Sequence, residues 1–285
     1  MLENILFLAA PITISILLAG ILSYFGNHIL TRGIIFIDIA LAQIAALGTM
    51  VGLLVGFAEG STIVEIISLG FTLVIISIFA LTKFEKQVVP QEAIIGIIYG
   101  LGLGIAMLLA EKIPGGSNYI TKTITGNILW VTWGDVISSF ILFAIISVIH
   151  FFLRKQFVSI SESKNSLPFS IKKVRIYELI FYITFGIVVV KAVPIAGIFM
   201  IFVLLIAPTA MATLFTQKWL NRFIWSWIIG IVGSIVGIYI SYNLNISNGP
   251  AIVCLLGIMV FVLAFVKIIM QRSKFQTTIV FEDKN

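Results

Sequence analysis

The run VPIAGIFMIFVLLIAPTAMATLF, residues 193–215, decides the fold. Between Ile195 and Leu214 it carries no Asp, Glu, Lys, Arg or His. A helix rises about 1.5 Å per residue, so about 20 apolar residues cross the roughly 30 Å hydrocarbon layer of a bilayer. A surface helix of a soluble domain keeps a polar face, and this one has none. The stretch reads as a membrane span.

The same pattern recurs outward from it, over 5–26, 34–57, 62–81, 93–110, 132–153, 178–193, 223–241 and 250–270. Together these make nine candidate spans. The sixth is short and meets the seventh through Lys191, Pro194 and Gly197, so a broken helix and eight spans is the alternative. The composition agrees: 60% of the 285 residues are hydrophobic and 11% charged. A soluble domain carries about 25% charge, which excludes an ordinary cytosolic enzyme and a disordered chain. The first block is too long for a cleaved signal peptide, and Met1–Asn4 lacks the Lys or Arg such a peptide needs. No connection has room for a soluble domain. The expectation is an all-α polytopic membrane domain over 1–272 and a short cytoplasmic tail over 273–285.

Basic residues orient the spans. With the N terminus outside, the inner segments hold 15 of the 18 Lys and Arg, among them Arg32, Arg154, Lys172, Lys173, Arg175, Lys218 and Arg222. Only Lys112, Lys122 and Lys191 fall outside, as the positive-inside rule requires. The net charge of +6 is thus a property of the cytoplasmic face, where it meets anionic lipid. Nothing in it calls for nucleic acid.

The chain has no GxxxxGK[ST] run. If ATP drives it, another chain binds the nucleotide. Gly100 and Gly104, like Gly233 and Gly237, are spaced for close helix approach. Cys254 is the single cysteine, and the two histidines, His28 and His150, have no second ligand one turn away. In the outer stretch 111–131, Ile124–Val131 reads as a short surface helix or re-entrant piece.

Candidate functional residues are polar groups at costly positions. Asp38 lies about one turn into the second span and Gln43 five residues on. A carboxylate in hydrocarbon is expensive unless paired or facing water. Asp38 is therefore either a lining residue of a cation path or a boundary anion paired with Arg32. Glu65, at the outer end of the third span with Glu59 before it, fits an acidic mouth that concentrates cations. Asp135 reads as a helix cap, and Glu178 as a cap or interfacial ion pair at the start of the sixth span. Two inner segments suit docking to a cytoplasmic motor. One is Thr82–Gly96; the other follows Pro208, which is expected to break the helix. The piece from Thr209 to Leu220 then lies along the membrane face with Phe215 and Trp219 packed inward.

Four stretches, FGNHILTRGIIFIDIALAQIAALG (25–48), EAIIGIIYGLGLGI (92–105), ITGNILWVTWGDV (124–136) and 193–215, are similar in order and spacing to the membrane-spanning permeases of zinc/manganese/iron ABC importers. The resemblance covers residues 1–272. It implies a type II ABC importer-like permease bundle in the plasma membrane of a prokaryote, with no catalytic site and no bound cofactor. It further implies a second copy of the chain, a separate cytoplasmic ABC ATPase and an extracytoplasmic metal-binding protein. A divalent metal ion is then the transported substrate. The resemblance assigns ATPase docking to the Pro208, Thr209, Ala210, Ala212 and Phe215 region. With a divalent metal as cargo, the polar residues read above, Asp38, Gln43 and Glu65, are the candidate metal path. Where many members read Gly-Asp-Ala-Leu-Ser-His, this chain reads Asp38-Ile39-Ala40-Leu41-Ala42-Gln43, so the acid is displaced and the imidazole replaced. Oxygen donors of this kind suit Mn²⁺ and Fe²⁺ as well as Zn²⁺. The competing classes are a secondary transporter or cation channel, which needs more intramembrane ionisable residues or inverted repeats, and a membrane assembly protein without transport.

Overall fold

A computed structural model describes the backbone of residues 2–82, 89–163 and 169–282, and the side chains of 7–80, 89–163 and 169–270. Eleven α-helices follow one another: α1 (Leu2–Arg32), α2 (Ile37–Leu54), α3 (Thr62–Thr82), α4 (Gln91–Ala110), α5 (Gly116–Thr125), α6 (Trp133–Phe152), α7 (Arg154–Glu162), α8 (Ile171–Ala196), α9 (Ile198–Phe215), α10 (Trp219–Leu244) and α11 (Asn248–Glu282). A 3₁₀ turn spans Ile128–Trp130, and no strand occurs among the described residues. Among the described residues, nine helices are long and apolar enough to cross a membrane; α5 and α7 are the short ones. The nine-span reading holds over the eight-span one, and the chain is an all-α, multi-pass membrane protein. One end of the bundle carries Arg32, Arg154 and Arg222 and is called the basic end; the other is the far end.

Three expectations change. The sixth span is not short: α8 runs from Ile171 through Pro194 and stops only at Gly197, whose φ of 75° few side chains tolerate. Pro208 does not break its helix; α9 continues through it to Phe215. The proline leaves only the Leu204 carbonyl without its usual donor, and both residues are buried among neighbouring helices. Hydroxyls and neighbouring helices commonly absorb a proline inside a membrane helix. The helix in the outer stretch lies at Gly116–Thr125 rather than 124–131, started by Gly115 and ended by Gly126, both at positive φ. At the other end of the chain the helix of α11 continues to Glu282, while its membrane-crossing stretch ends at Met270.

Packing is organised around α2. Thirteen of its 18 residues are buried, under α3, α4, α8 and α9. A second group, α1 with α9, α10 and α11, closes against it. Helices pack tightly in lipid where small residues let backbones approach. At the α1–α9 crossing a Cβ on Gly26 would sit 2.0 Å from the Leu205 carbonyl oxygen. At the α2–α3 crossing a Cβ on Gly48 would sit 2.7 Å from the Ser68 Cα. The Gly233/Gly237 pair does what its spacing suggests: Leu256 and Ile252 of α11 fill the space a side chain would need. The Gly100/Gly104 pair does not, since a Cβ on either would meet no other segment within 4 Å among the described residues.

The basic end is held by side chains. Arg222 of α10 donates through Nε to Asn27 at 2.5 Å and through Nη2 to Thr31 at 2.9 Å, both on α1. His28 Nδ1 meets Ser161 Oγ of α7 at 2.8 Å. That serine hydroxyl already donates to the Phe157 carbonyl, so the His28 ring nitrogen is the donor. His150 of α6 bridges Tyr24 of α1 and Thr184 of α8, at 3.0 and 2.7 Å. Both histidines are therefore structural members of an aromatic and polar clasp, with Phe25, Phe157 and Phe181 around them.

The contrast between the two glycine classes gives a stability test. Gly26→Ala forces a methyl group into the Leu205 carbonyl and should destabilise the chain by about 1–3 kcal/mol, the usual range for overpacking. Gly100→Ala meets open space and should leave the isolated chain as stable or slightly more so, because Ala is the better helix former. Thermal unfolding of the two variants in detergent micelles checks both.

Candidate functional site

The site is built on α2, the most enclosed helix of the bundle. Its first turn follows a tight connection from α1, residues 33–36, in which Gly33 takes φ 70°. Glu92, in the first turn of α4, fixes that connection by accepting from the Ile35 N–H at 2.6 Å. Sequence reading missed this role; Pro90 and Glu92 marked a helix start, but nothing local announced a partner 57 residues away.

Asp38 sits in the first turn of α2 and is 1% exposed. Its carboxyl group lies at the N-terminal end of α2, where the helix dipole favours negative charge. Its Oδ1 has no hydrogen-bond partner. The pairing with Arg32 does not form. Arg32 instead donates through Nε to Ser161 at 2.8 Å and lays its guanidinium 4.0 Å from the Phe181 ring centre. A buried carboxylate without a counter-charge costs several kcal/mol, so stability is a poor reason for this residue.

Gln43 is 5% exposed and lies five residues, about 7.5 Å, further along the helix. It lines a small cavity with Tyr119 and Thr123 of α5 and Met50 of α2. Tyr119 interacts with the Thr49 and Thr123 hydroxyls, and burial pushes its phenol above the usual value of 10. Thr123 is 7% exposed. Gln43, Thr49, Tyr119 and Thr123 thus form a short column of oxygen-bearing side chains between α2 and α5, whereas Asp38, about 140° round the helix from Gln43, does not line their cavity. Tyr119, Thr49 and Thr123 escaped sequence reading because α5 was misplaced by several residues.

Glu65 is not brought to this column. It is exposed on α3, next to Val64, which packs on Gly52. That is nine residues beyond Gln43, or about 13 Å of helix rise. Glu59 is also exposed and pairs with Lys122 of α5 at 2.8 Å. Asp135 is a cap, as its position suggests: it forms a reciprocal capping box with Thr132. Glu178 is no cap, since α8 begins seven residues earlier; it is 1% exposed in the helix interior. Among the described residues no group of three His, Cys, Asp or Glu comes together as a ready-made metal site.

The docking residues divide. Pro208, Thr209 and Ala212 are buried inside the chain, with Thr209 and Ala212 at 0% exposure. Ala210 is half-buried, and Phe215 is 64% exposed at the basic end. Trp219 does pack inward, with its ring centre 4.7 Å from that of His28.

Comparison with known proteins follows this geometry. The sequence model described as "ABC 3 transport family" matches residues 4–268. A probable metal transport system membrane protein of Chlamydia muridarum is 25% identical over 172 residues, 59% of this chain and 57% of the relative. The chain therefore spans little more than half of that relative. The manganese transport system membrane protein MntC of Listeria innocua is 24% identical over 265 residues, 91% of this chain and 90% of the relative. Among solved structures, PsaBC from Streptococcus pneumoniae in complex with Fab superposes with a TM-score of 0.73 at 19% identity. That match covers 92% of this chain and 95% of the other.

Asp38 offers a test free of any transport assay. Replacing a buried, uncompensated carboxylate by its amide removes a desolvation cost. Asp38→Asn should match or exceed the wild-type thermal midpoint, whereas His150→Phe, which leaves the Tyr24 hydroxyl unpaired, should lose about 1–3 kcal/mol. A fall in stability for Asp38→Asn as large as that of His150→Phe would make Asp38 a structural residue.

Proposed function

This chain belongs to the ABC 3 transport family, and we propose on that premise that it is the membrane-spanning subunit of an importer for a divalent metal cation. The observation that carries the reading is Asp38, a buried carboxylate with an open oxygen in the most enclosed helix. A divalent cation gives up water only where fixed oxygens replace it. Asp38 supplies the charge, Gln43 a neutral oxygen, and Tyr119, Thr49 and Thr123 line the approach from the far end, with Glu65 as an outer relay. The set is oxygen-based and matches manganese or iron as well as zinc. Members of this family are not themselves catalytic, and a separate ATPase subunit supplies the energy.

A single Asp38 gives one charge to a cation carrying two. A second copy of the chain supplies the other. Support comes from α4, where Gly96, Gly100 and Gly104 recur every fourth residue and a Cβ on any of them would meet no other segment within 4 Å among the described residues. Such a stripe is suited to close contact between membrane helices. The far end receives the ion from an extracytoplasmic metal-binding protein. The basic end faces the cytoplasm, in keeping with the distribution of Lys and Arg.

The ATPase docks at the basic end around Phe215 and Leu220, which are 64% and 65% exposed. Pro208, Thr209 and Ala212 support that surface from inside. Lys267 of α11 caps the last carbonyls of α9 through Leu214, so the exposed tip stands on a braced helix.

Two measurements follow. Asp38→Asn should cut cellular uptake of Mn²⁺, Fe²⁺ or Zn²⁺ by at least about tenfold at unchanged surface abundance and unchanged ATPase co-purification; normal uptake would remove Asp38 from the path. Phe215→Asp places a charge in an apolar contact. It should weaken co-purification of the ATPase or uncouple hydrolysis from uptake without loss of folded chain, and wild-type coupling would move the docking site elsewhere.

A further inference from the structure

Helix α2 starts without a cap of its own. Phe36 occupies the N-cap position and makes no side-chain cap bond, where Ser, Thr, Asp or Asn ordinarily supplies the acceptor. Within the connection before it the backbone meets part of its own needs. Gly33 N–H donates to Leu30, Ile34 N–H to Ile29 and Ile37 N–H to Ile34, each at 3.3 Å. The Ile35 N–H goes elsewhere, to Oε1 of Glu92 at 2.6 Å. Glu92 belongs to the first turn of α4. The acceptor that α2 lacks locally therefore arrives from a helix packed along its side. Hydrogen bonds of this kind, from a backbone N–H to a carboxylate, are roughly twice as strong as neutral ones.

The place of this bond gives it a consequence for Asp38, three residues further on. Gly33, at φ 70° and with no segment near enough to touch a Cβ among the described residues, is a free joint between α1 and α2. Beyond the joint, Ile34 and Ile37 are buried in the core, 4% and 0% exposed. Burial holds the turn down but is non-directional. Phe36 stacks on Phe202 of α9 with ring centres 6.2 Å apart, a contact made by a side chain that rotates about its own bonds. Glu92 alone of these acts on the backbone and in one direction. Asp38 has no bond through Oδ1 to hold its carboxyl in place, so the position of that group follows the turn that carries it. We propose that Glu92 is a positioning residue for Asp38: the reach of its carboxyl oxygen to Ile35 sets where the first turn of α2 presents the Asp38 carboxylate to the cation. This rests on the reading of Asp38 as part of the path. It assigns the role to the length of the Glu92 side chain, not to its charge, because an acid one methylene shorter would start α4 equally well.

The test separates reach from charge. Glu92→Gln keeps the length and an acceptor oxygen but gives up the charge. Glu92→Asp keeps the charge but draws the oxygen back by one C–C bond, about 1.5 Å. Both are made in the complete importer, and uptake is measured at equal surface abundance with whichever of Mn²⁺, Fe²⁺ and Zn²⁺ the wild type accumulates. Glu92→Gln should transport within about twofold of wild type and Glu92→Asp at least about tenfold more slowly, the factor expected for one hydrogen bond to a charged group. A second readout follows the turn itself. In a Cys254→Ser chain, Asp38→Cys reports the accessibility of that position through its rate of modification by N-ethylmaleimide, and Ser139→Cys in α6, at a residue 0% exposed, is the control. Glu92→Asp should speed modification at position 38 at least about fivefold and leave position 139 unchanged, because local opening exposes only the segment that lost its bond. Glu92→Gln should change neither rate. Slow uptake with faster modification at position 38 alone, both restored in Glu92→Gln, supports the proposal. Equal acceleration at the two positions, or failure of Glu92→Asp to reach the membrane, makes Glu92 a general stabiliser and overturns it. A loss in Glu92→Gln as large as that in Glu92→Asp overturns it too, by making the charge the cause. Wild-type uptake in Glu92→Asp while Asp38→Asn is inactive overturns this proposal alone; normal uptake in Asp38→Asn overturns the reading of the path beneath it.

Discussion

Hydrocarbon offers no hydrogen bonds, and the whole bundle is arranged around that fact. Each span is a helix because only a helix pairs its backbone within itself. The three prolines within α1, α8 and α9 each leave one carbonyl without its helix donor, and the helices continue through them because packed neighbours tolerate the loss. Since lipid tails are as apolar as leucine, what brings helices together is close packing at Gly26, Gly48 and Gly237 and the polar clasp at the basic end.

Against this background the partnered and unpartnered polar groups carry different meanings. Arg222, His150 and Thr31 have their partners and brace the helices. Asp38 Oδ1 has none, and it lies just after the four-residue α1–α2 connection, 33–36, which Glu92 holds through the Ile35 N–H.

Much of the fold was legible because a membrane span is a composition signal as well as a periodicity. The blocks without charge mark nine helices, and Asp38 stood out because nothing of its kind surrounded it. The failures have a common cause. At Pro194 and Pro208 local chemistry argued for a break, and tertiary packing around the helix overrode it. α5 was misplaced because two glycines at positive φ, Gly115 and Gly126, set its ends, and a glycine's φ is not written in the sequence. The burial of Ala212, the exposure of Phe215, and the meeting of Tyr119 with Thr49 depend on contacts between distant segments. No spacing rule reports those.

The far end carries one more lesson, about order of assembly. Gly126 packs on Ala196 and Gly197 so closely that a Cβ would lie 2.1 Å from the Ala196 carbonyl oxygen, and Gly249 likewise lies against the Thr125 carbonyl oxygen. Three connections, one from the middle of the chain, one between α8 and α9 and one before α11, thus share a single knot of bare backbone. Its first strand is made more than a hundred residues before its last. α5 packs chiefly on α4, α8 and α9, all of which precede α11 in the chain, and Gly249 adds the last contact to the roof over α2.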